Sequence, residues 1–453
     1  MSDGAGYFPR WTLKTVGTVM PDERLPASHS LIVGLQHVVA MFGATVLAPI
    51  LMGFDANVSI LFSGVATLIF FVVVGGRVPS YLGSSFAFIG PVLAATGATV
   101  ASPNPHIAVA LGGIIAAGAL YTLIGIAVAL AGHHWVERLL PPVVTGAIVA
   151  AIGLVLAPIA INGASGITPD DQVGSGFARS IALLTVVLVG GVAVYAPGIW
   201  RRLPILIGAA AAYTAYATLA NGLGFGPPID FRKVGEAAWF GLPSVTSPIF
   251  TGPAVSLIAP VATILVAENL GHIKAIGAMT GRRLDPYLGR AFIGDGLATM
   301  VSACFGGTGM TTYAENIGVM AVTRIYSTLI FVVAAFTAIL LGFSPKFGAL
   351  IRTIPVPVLG GLSIVVFGLI AATAGRIWVE NRVDFSRPRN LITVAVALVL
   401  GAGNLKLAIG GFTLDGVGTA SFGAIILYHI LGGTDAKPDS RVVPPSSTGA
   451  ADG

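Results

Sequence analysis

The residues best suited to chemistry in this sequence are a few acids and histidines that lie inside long apolar runs. Glu268 and His272 are four residues apart, so a helix places them on one face, where they can share a proton or a hydrogen bond. Glu315 follows a run of hydroxyl and aromatic residues, and Asp295 lies within another apolar run. Because an ionisable side chain is unfavourable inside a membrane, each of these residues is a candidate for a functional site.

Each candidate also has a purely structural explanation. Glu268 and His272 could form a neutral buried pair, and Glu315 could cap the start of a helix. Asp295 could bond nearby hydroxyls or backbone groups, and His37, which follows Gln36, could be a packing residue between two parts of the chain. The segment from Glu268 to His272 lacks the leading histidine of a zinc-protease motif, so we predict no metal site and no cofactor.

The composition places these residues in a membrane protein. Of 453 residues, 55% are hydrophobic and 9% are charged, against about 25% charged in soluble domains, and the mean hydropathy is +0.90. This excludes a soluble enzyme, and no reactive constellation indicates a membrane enzyme. The formal charge of +5 is expected from basic cytoplasmic loops, and we predict no nucleic-acid partner. The single Cys304 excludes an internal disulfide, and the polar N-terminus lacks the pattern of a signal peptide.

We predict an all-α polytopic protein with fourteen crossings of about 30 Å of hydrocarbon. The complete runs of the first half are Ser28 to Ile50, Val58 to Val74, Ile107 to Gly132, Leu139 to Ile161, Ile181 to Ile199 and Leu203 to Leu219. Those of the second half are Ala254 to Ile273, Tyr287 to Phe305, Ile325 to Phe343, Ile354 to Ala372, Asn390 to Gly401 and Gly416 to Leu431. The third and tenth segments are shorter and open with strand-like residues: Tyr81 to Thr99 and Thr311 to Arg324.

The distribution of basic residues supports this order of segments. With both termini placed in the cytoplasm, eighteen of the 24 Lys and Arg residues fall on the cytoplasmic side and six fall on the other. Such an excess of basic residues is typical of cytoplasmic loops. The pattern therefore indicates an integral protein of the cell membrane, in a bacterium the inner membrane.

Short motifs recur in the same order in both halves of the chain. Gly64-Val-Ala-Thr-Leu68 returns as Gly296-Leu-Ala-Thr-Met300, at an offset of 232, and Ser84-Ser-Phe-Ala87 returns as Thr311-Thr-Tyr-Ala314, at an offset of 227. A third motif of Pro, Val, Gly and Leu beginning at Pro142 returns at an offset of 215. Serial order of this kind predicts two homologous halves. Since seven crossings is an odd number, the halves must be inverted, which is typical of transporters with a site near the membrane midplane.

The two broken segments should border that site. Non-helical backbone in a membrane must be covered by protein or line a cavity, and two short strands could satisfy each other by pairing antiparallel. Half-helices would then point N–H groups at a cavity that also holds the acids. Paired carboxylates suit a neutral ligand with several N–H groups, such as a pyrimidine base, although other polar ligands fit this chemistry too. Burial disfavours a charged carboxylate, so such an acid can carry a proton, and a nearby histidine can receive it.

These motifs resemble the nucleobase/ascorbate transporter family, in its uracil and pyrimidine permease branch. The likeness covers roughly Leu25 to Leu431 and includes the Asn, Gly and Thr of the family signature. The motifs that carry it are Gln36-His37, Ala40-Met-Phe-Gly-Ala44, Tyr81-Leu-Gly-Ser-Ser-Phe-Ala-Phe88, Glu268-Asn-Leu-Gly-His272 and Thr312-Tyr-Ala-Glu-Asn-Ile-Gly-Val-Met-Ala-Val-Thr-Arg324.

The resemblance implies roles for individual residues. Glu268 and Glu315 would accept the N–H groups of the substrate, and His272 would join Glu268 in proton coupling, with Ser85 near that network. Supporting roles fall to Gln36, His37, Asp295 and Asn316, and the residues that would line the pocket, partly through backbone, are Ala44, Phe86, Tyr313 and Ala314. Uracil permeases of the family commonly have Gly where this chain has Ala314, which leaves selectivity among uracil, thymine and xanthine open.

The resemblance also implies two domains and frequent homodimers through the gate domain. The core domain would comprise residues 28–132 and 254–343, and the gate domain residues 139–222 and 354–431. Residues 1–27 would be a cytoplasmic tail, and 432–453 a disordered cytoplasmic tail. The expected function is proton-coupled import of pyrimidine bases, uracil and possibly thymine, with no enzymatic activity. The alternatives are a purine permease for xanthine or urate, and an anion transporter of the same fold.

Overall fold

The computed structural model describes residues 6–98, 104–167, 175–198, 200–409 and 412–432, and these are predominantly helical. The helices up to residue 236 are α1 (Ala27–Met52), α2 (Ala56–Val73), α3 (Ile89–Thr96), α4 (Ile107–Ala131), α5 (His134–Leu139), α6 (Pro142–Val155), α7 (Ala157–Ser165), α8 (Gly176–Tyr195), α9 (Pro204–Ala217) and α10 (Arg232–Glu236). The later helices are α11 (Gly252–Ile258), α12 (Val261–Thr280), α13 (Leu288–Cys304), α14 (Ala314–Thr323), α15 (Thr328–Gly342), α16 (Pro345–Arg352), α17 (Val356–Glu380), α18 (Pro388–Ala402) and α19 (Gly416–Ile430). The strands are β1 (Thr12–Leu13), β2 (Glu23–Arg24), β3 (Leu82–Ser84), β4 (Met310–Thr312), β5 (Leu407–Ile409) and β6 (Phe412–Leu414).

Seven helical spans in the described part of the chain are long and apolar enough to cross a membrane. An eighth is present if α15 and α16, which meet at an angle of 80°, count as one bent span. Shorter apolar helices lie at Phe86–Thr96, α18 and α19. The prediction of a polytopic membrane protein is therefore confirmed, and the count of fourteen crossings stays a prediction.

Proline explains why two predicted runs each form a pair of helices. The run predicted from Leu139 to Ile161 divides into α6 and α7 just before Pro158, and the run predicted from Ala254 to Ile273 divides into α11 and α12 at Pro260. Proline has no N–H to donate and its ring clashes with the preceding turn, so the helix is interrupted there.

Strands β3 and β4 pair antiparallel in the interior of the protein. Leu82 is opposite Thr312, and Ser84 is opposite Met310, and every residue of both strands is buried. The N–H of Ser85 donates to the carbonyl of Gly309 at 2.9 Å and extends the pairing. The two strands thus satisfy backbone groups that no lipid could satisfy.

Two equivalent threonines of the repeated motif hold the outer edges of these strands. The hydroxyl of Thr67 in α2 accepts a hydrogen bond from the N–H of Leu82 at 2.9 Å. The hydroxyl of Thr299 in α13 accepts one from the N–H of Met310 at 3.0 Å. Each threonine therefore caps the first residue of the strand in its own half of the chain, and this gives the repeated Gly-x-Ala-Thr motif a structural reason.

The glycine of the same motif allows close helix packing. A Cβ on Gly296 of α13 would lie 2.6 Å from the carbonyl oxygen of Gly118 in α4, and a Cβ on Gly64 of α2 would collide with the carbonyl of Ala335 in α15. Helix pairs α4/α13 and α2/α15 are accordingly in extensive contact. Small residues at such crossings let the backbones approach closely, which stabilises packing in apolar surroundings.

The described part of the predicted N-terminal tail is folded against the helices. Strands β1 and β2 pair parallel, and Val19, only 1% exposed, forms a β-bridge with Ile325. The indole N–H of Trp11 donates to the hydroxyl of Thr328 at 2.9 Å. Of the predicted C-terminal tail, residues 433–453 lie outside the described residues.

Candidate functional site

The two acids predicted to bind the ligand lie together where α12, α14 and the strand pair meet. Glu268 is on α12, and Glu315 is in the first turn of α14, immediately after β4. They are close enough to repel each other electrostatically, and both side chains are only partly exposed. The ion pairs found among the described residues include neither acid. Two acids without a cation favour a neutral ligand that donates hydrogen bonds, or a proton shared with the site.

The residues around the acids differ in how they can contact a ligand. Ala314 precedes Glu315 and is exposed, so its methyl group faces open space. Phe86 is half-buried, and its ring meets Phe367 of α17 edge-to-face at 5.8 Å, so it packs between the broken third segment and a helix of the predicted gate domain. Ala44 is only 1% exposed and is covered by neighbouring side chains.

Tyr313 stabilises the strand pair with its side chain. Its phenol donates to the carbonyl of Ser84 at 2.9 Å and accepts from the hydroxyl of Thr45 at 3.2 Å. Its ring lies over Gly83, where a Cβ would be 2.5 Å from the ring carbon Cζ. The Tyr313 side chain therefore contributes to the packing and hydrogen bonding of the strand pair.

His272 contacts the strand pair, and no direct hydrogen bond joins it to Glu268 in the part of the chain that is described. Its Nδ1 lies 2.8 Å from the hydroxyl of Thr312, which in turn donates to Oδ1 of Asn269 at 3.4 Å. The hydrogen-bonded connection of His272 therefore leads through β4. Glu268 and His272 do share one side of α12, since both are partly exposed, whereas the intervening Asn269 is buried.

Asn269 connects this network to Asp295. Its amide Nδ2 donates to Oδ2 of Asp295 at 2.6 Å and to the phenol of Tyr121 at 2.9 Å. Asp295 is fully buried, and its Oδ1 has no hydrogen-bond partner among the described residues. A buried carboxylate held by an amide and a phenol fits the structural interpretation of Asp295, and Asp295 also lies near enough to Glu268 to interact electrostatically.

His37 and Asn316 join the two halves of the chain. The Asn316 amide Nδ2 donates to the carbonyl of His37 at 3.1 Å and lies 3.0 Å from its Nδ1. In this orientation the amide nitrogen donates to Nδ1 of His37, and Nε2 of His37 has no partner among the described residues. The imidazole also packs on Phe331, with ring centroids 4.7 Å apart. His37 is thus positioned as the predicted packing and hydrogen-bonding residue.

Two further predicted residues, Ser85 and Gln36, form no hydrogen bond with Glu268 or Glu315 in the described part of the chain. The hydroxyl of Ser85 accepts from the N–H of Ala87 at 3.3 Å and caps the short helix Phe86–Phe88. The amide Nε2 of Gln36 is buried without a partner in the described part of the chain. The role of Ser85 in a proton network stays a prediction.

Three residues of the network were missed by sequence reasoning: Asn269, Thr312 and Tyr121. Asn269 sits between Glu268 and His272 on α12, and a polar residue inside an apolar helix could have drawn attention to it. Tyr121 comes from α4, about 150 residues away, and only the packing of α4 on α12 and α13 brings it there.

Comparison with known proteins places the chain among permeases. A model of the permease family matches residues 28–409. The chain is 60% identical over 428 residues to the Escherichia coli (strain K12) protein named "Putative pyrimidine permease RutG", covering 94% of this chain and 95% of that one. It is 42% identical over 419 residues to the uracil permease of Paenibacillus larvae, covering 90% and 95%.

A solved structure shares the fold at low sequence identity. The transmembrane domain of the cyanobacterial bicarbonate transporter BicA matches with a TM-score of 0.60 and 17% identity, over 87% of this chain and 96% of that one. This likeness concerns the fold alone. The chain therefore shares the fold of that transmembrane domain.

Proposed function

Because the chain belongs to the nucleobase/ascorbate transporter family, in its uracil and pyrimidine branch, we propose that it is a proton-coupled symporter for pyrimidine bases, uracil first. It is a permease and not an enzyme. The relatives named as pyrimidine and uracil permeases support the substrate class. The single observation that carries the coupling mechanism is the pair Glu268 and Glu315, two partly exposed acids at a break in the membrane helices that have no ion-pair partner among the described residues.

Uracil matches this site by its alternation of donors and acceptors. The carboxylates of Glu268 and Glu315 accept hydrogen bonds from its ring N–H groups. N–H groups at the start of α14 and of the half-helix after β3 face its carbonyl oxygens, aided by the positive ends of the helix dipoles. The Ala314 methyl borders the same space, and Phe86 closes it on the side of α17.

A proton accompanies the base by way of Glu268 and His272. A protonated Glu268 still accepts a hydrogen bond through its carbonyl oxygen and no longer repels Glu315, so base and proton can be bound together and their binding is linked. His272 takes part through Thr312, since its Nδ1 bonds that hydroxyl. Ser85 stabilises the backbone that lies next to this route.

Alternating access follows from movement of a core domain against a gate domain. We infer fourteen segments in two inverted repeats, a core of residues 28–132 and 254–343 and a gate of residues 139–222 and 354–431. Both termini lie in the cytoplasm, the membrane is the bacterial inner membrane, and two copies associate through the gate. Under this topology α5 lies at the cytoplasmic face.

Two rival functions belong to the same fold. A purine permease for xanthine or urate would use the same acids, whereas an anion transporter would place its substrate against two carboxylates that repel it.

Uptake of labelled uracil by liposomes containing the purified protein tests the proposal. We expect accumulation only with an inwardly directed proton gradient, and stronger competition by thymine than by xanthine. Accumulation that survives collapse of the gradient by an uncoupler contradicts symport.

Ala314→Gly should widen the proposed pocket where the Ala314 methyl group borders the pyrimidine ring. A pocket discriminates one methyl group by about 1–3 kcal/mol, so we expect thymine to compete with uracil about tenfold better in the variant. The measurement is the ratio of inhibition constants for thymine and uracil. Ala321→Gly, at an exposed position farther along α14, is the matched control and should leave the ratio unchanged. An unchanged ratio in Ala314→Gly would place its methyl outside the pocket.

A further inference from the structure

A cluster of metal-binding side chains lies well away from the acids of the transport site. His133, His134 and Glu137 occur at the start of α5, the short helix that joins α4 to α6. Each offers one ligand atom, and these atoms all lie within 4.8 Å of one another. Nε2 of His133 is 3.8 Å from Oε1 of Glu137, and Nδ1 of His134 is 3.5 Å from Oε2.

The spacing of the three residues produces this convergence. Residues three and four apart lie on one face of a helix, so both histidines reach Glu137 from the preceding turn. Their imidazole rings are near each other, with centroids 4.3 Å apart. Two imidazoles and one carboxylate are a ligand set that Zn²⁺ and similar divalent ions bind in proteins, with water at the open position.

The three side chains are also available to an ion from solution. The exposed fraction is 83% for His134, 23% for His133 and 28% for Glu137. Burial alone would raise the pKa of Glu137, but the hydrogen bond and charge of Lys274, together with the two histidines, hold that pKa below its ordinary value.

Lys274 already occupies one oxygen of Glu137 and links the cluster to the transport site. Its ammonium lies 2.6 Å from Oε1 of Glu137, and the Lys274 side chain is 49% exposed, so it can turn into solvent. Lys274 is on α12, two residues beyond His272, and its ion pair joins that helix to α5. Like-charge repulsion disfavours a divalent cation and this ammonium sharing the carboxylate at close range.

We propose that His133, His134 and Glu137 form a binding site for a divalent transition-metal ion of the Zn²⁺ type, in competition with Lys274. Occupancy by the ion frees Lys274 and releases the end of α12 from α5. Metal binding at this site does not require the substrate. The proposal departs from the sequence-based prediction, which assigned no metal site to the chain.

Titration of the purified, tag-free full chain with Co²⁺ tests the site by its visible absorption, with Zn²⁺ added to displace it. We expect one saturable equivalent per chain, with an absorption spectrum of nitrogen and oxygen coordination. His134→Asn should weaken binding more than about tenfold, and because His134 is highly exposed the variant should fold. His29→Asn, at an exposed histidine of α1, is the matched control and should bind like the wild type.

Lys274→Met distinguishes a functional metal site from three side chains that lie together by chance. Removal of the competing ammonium should tighten Co²⁺ binding severalfold and leave one site per chain. Absence of saturable binding in the wild type, equal binding by His134→Asn, or weaker binding by Lys274→Met would each overturn the proposal. None of these readouts depends on uracil, so failure here is distinguishable from failure of the proposed transport function.

Discussion

Glu315→Gln is expected to weaken uracil binding by about 10- to 100-fold. A hydrogen bond to a charged group contributes about 1.5–3 kcal/mol, and 1.4 kcal/mol corresponds to a factor of ten in affinity. The amide keeps the size of the side chain, but its NH₂ group is a donor that opposes the N–H of the base. Glu315 is in the first turn of α14 and forms none of the ion pairs found in the described part of the chain, so the substitution strands no cation there.

Equilibrium binding of labelled uracil to the purified protein measures this effect. Glu380→Gln makes the same chemical change at an exposed position at the end of α17 and should retain wild-type affinity. Normal affinity in Glu315→Gln would remove Glu315 from the binding site. A loss of affinity in both variants would instead point to a general effect of charge.

The local features of the fold could be predicted from the sequence because they depend on short-range patterns. The hydroxyl and aromatic residues around Ser84 and Thr311 predicted the two strands, and apolar length predicted the long helices. Two predicted apolar runs are each divided into two helices near Pro158 and Pro260, because proline has no N–H to donate within a helix. The average hydrophobicity of a whole run does not reveal such a break.

The acids of the site could be predicted from the sequence, but the hydrogen bonds and packing contacts that connect its residues could not. Glu268 and Glu315 could be found because charge inside an apolar run is rare. The bond from His272 to Thr312 could not, because the helical spacing on α12 favours a contact with Glu268, whereas the histidine is within reach of β4 only after the strands pair. The packing of Tyr313 over Gly83 likewise depends on the register of two strands more than 200 residues apart.

Glu268→Gln should separate uracil movement from the proton gradient. With one proton carried per base, a gradient of one pH unit can sustain about a tenfold accumulation, since one unit is worth 1.36 kcal/mol. An amide cannot take up or release that proton, so the accumulation ratio should fall from about ten to about one. Exchange of labelled for unlabelled uracil needs no net proton transfer, and at saturating substrate it should persist.

Uptake and exchange in the same liposomes therefore give the decisive comparison. Glu236→Gln, at an exposed position in α10, is the matched control and should accumulate uracil like the wild type. Full accumulation by Glu268→Gln would assign the coupling proton to another group. Glu315 and Asp295 are then the candidates, because both acids interact electrostatically with Glu268. Loss of both exchange and accumulation at saturating uracil would instead indicate that Glu268 acts mainly in binding uracil. Only persistent exchange without accumulation fits an acid that carries the proton.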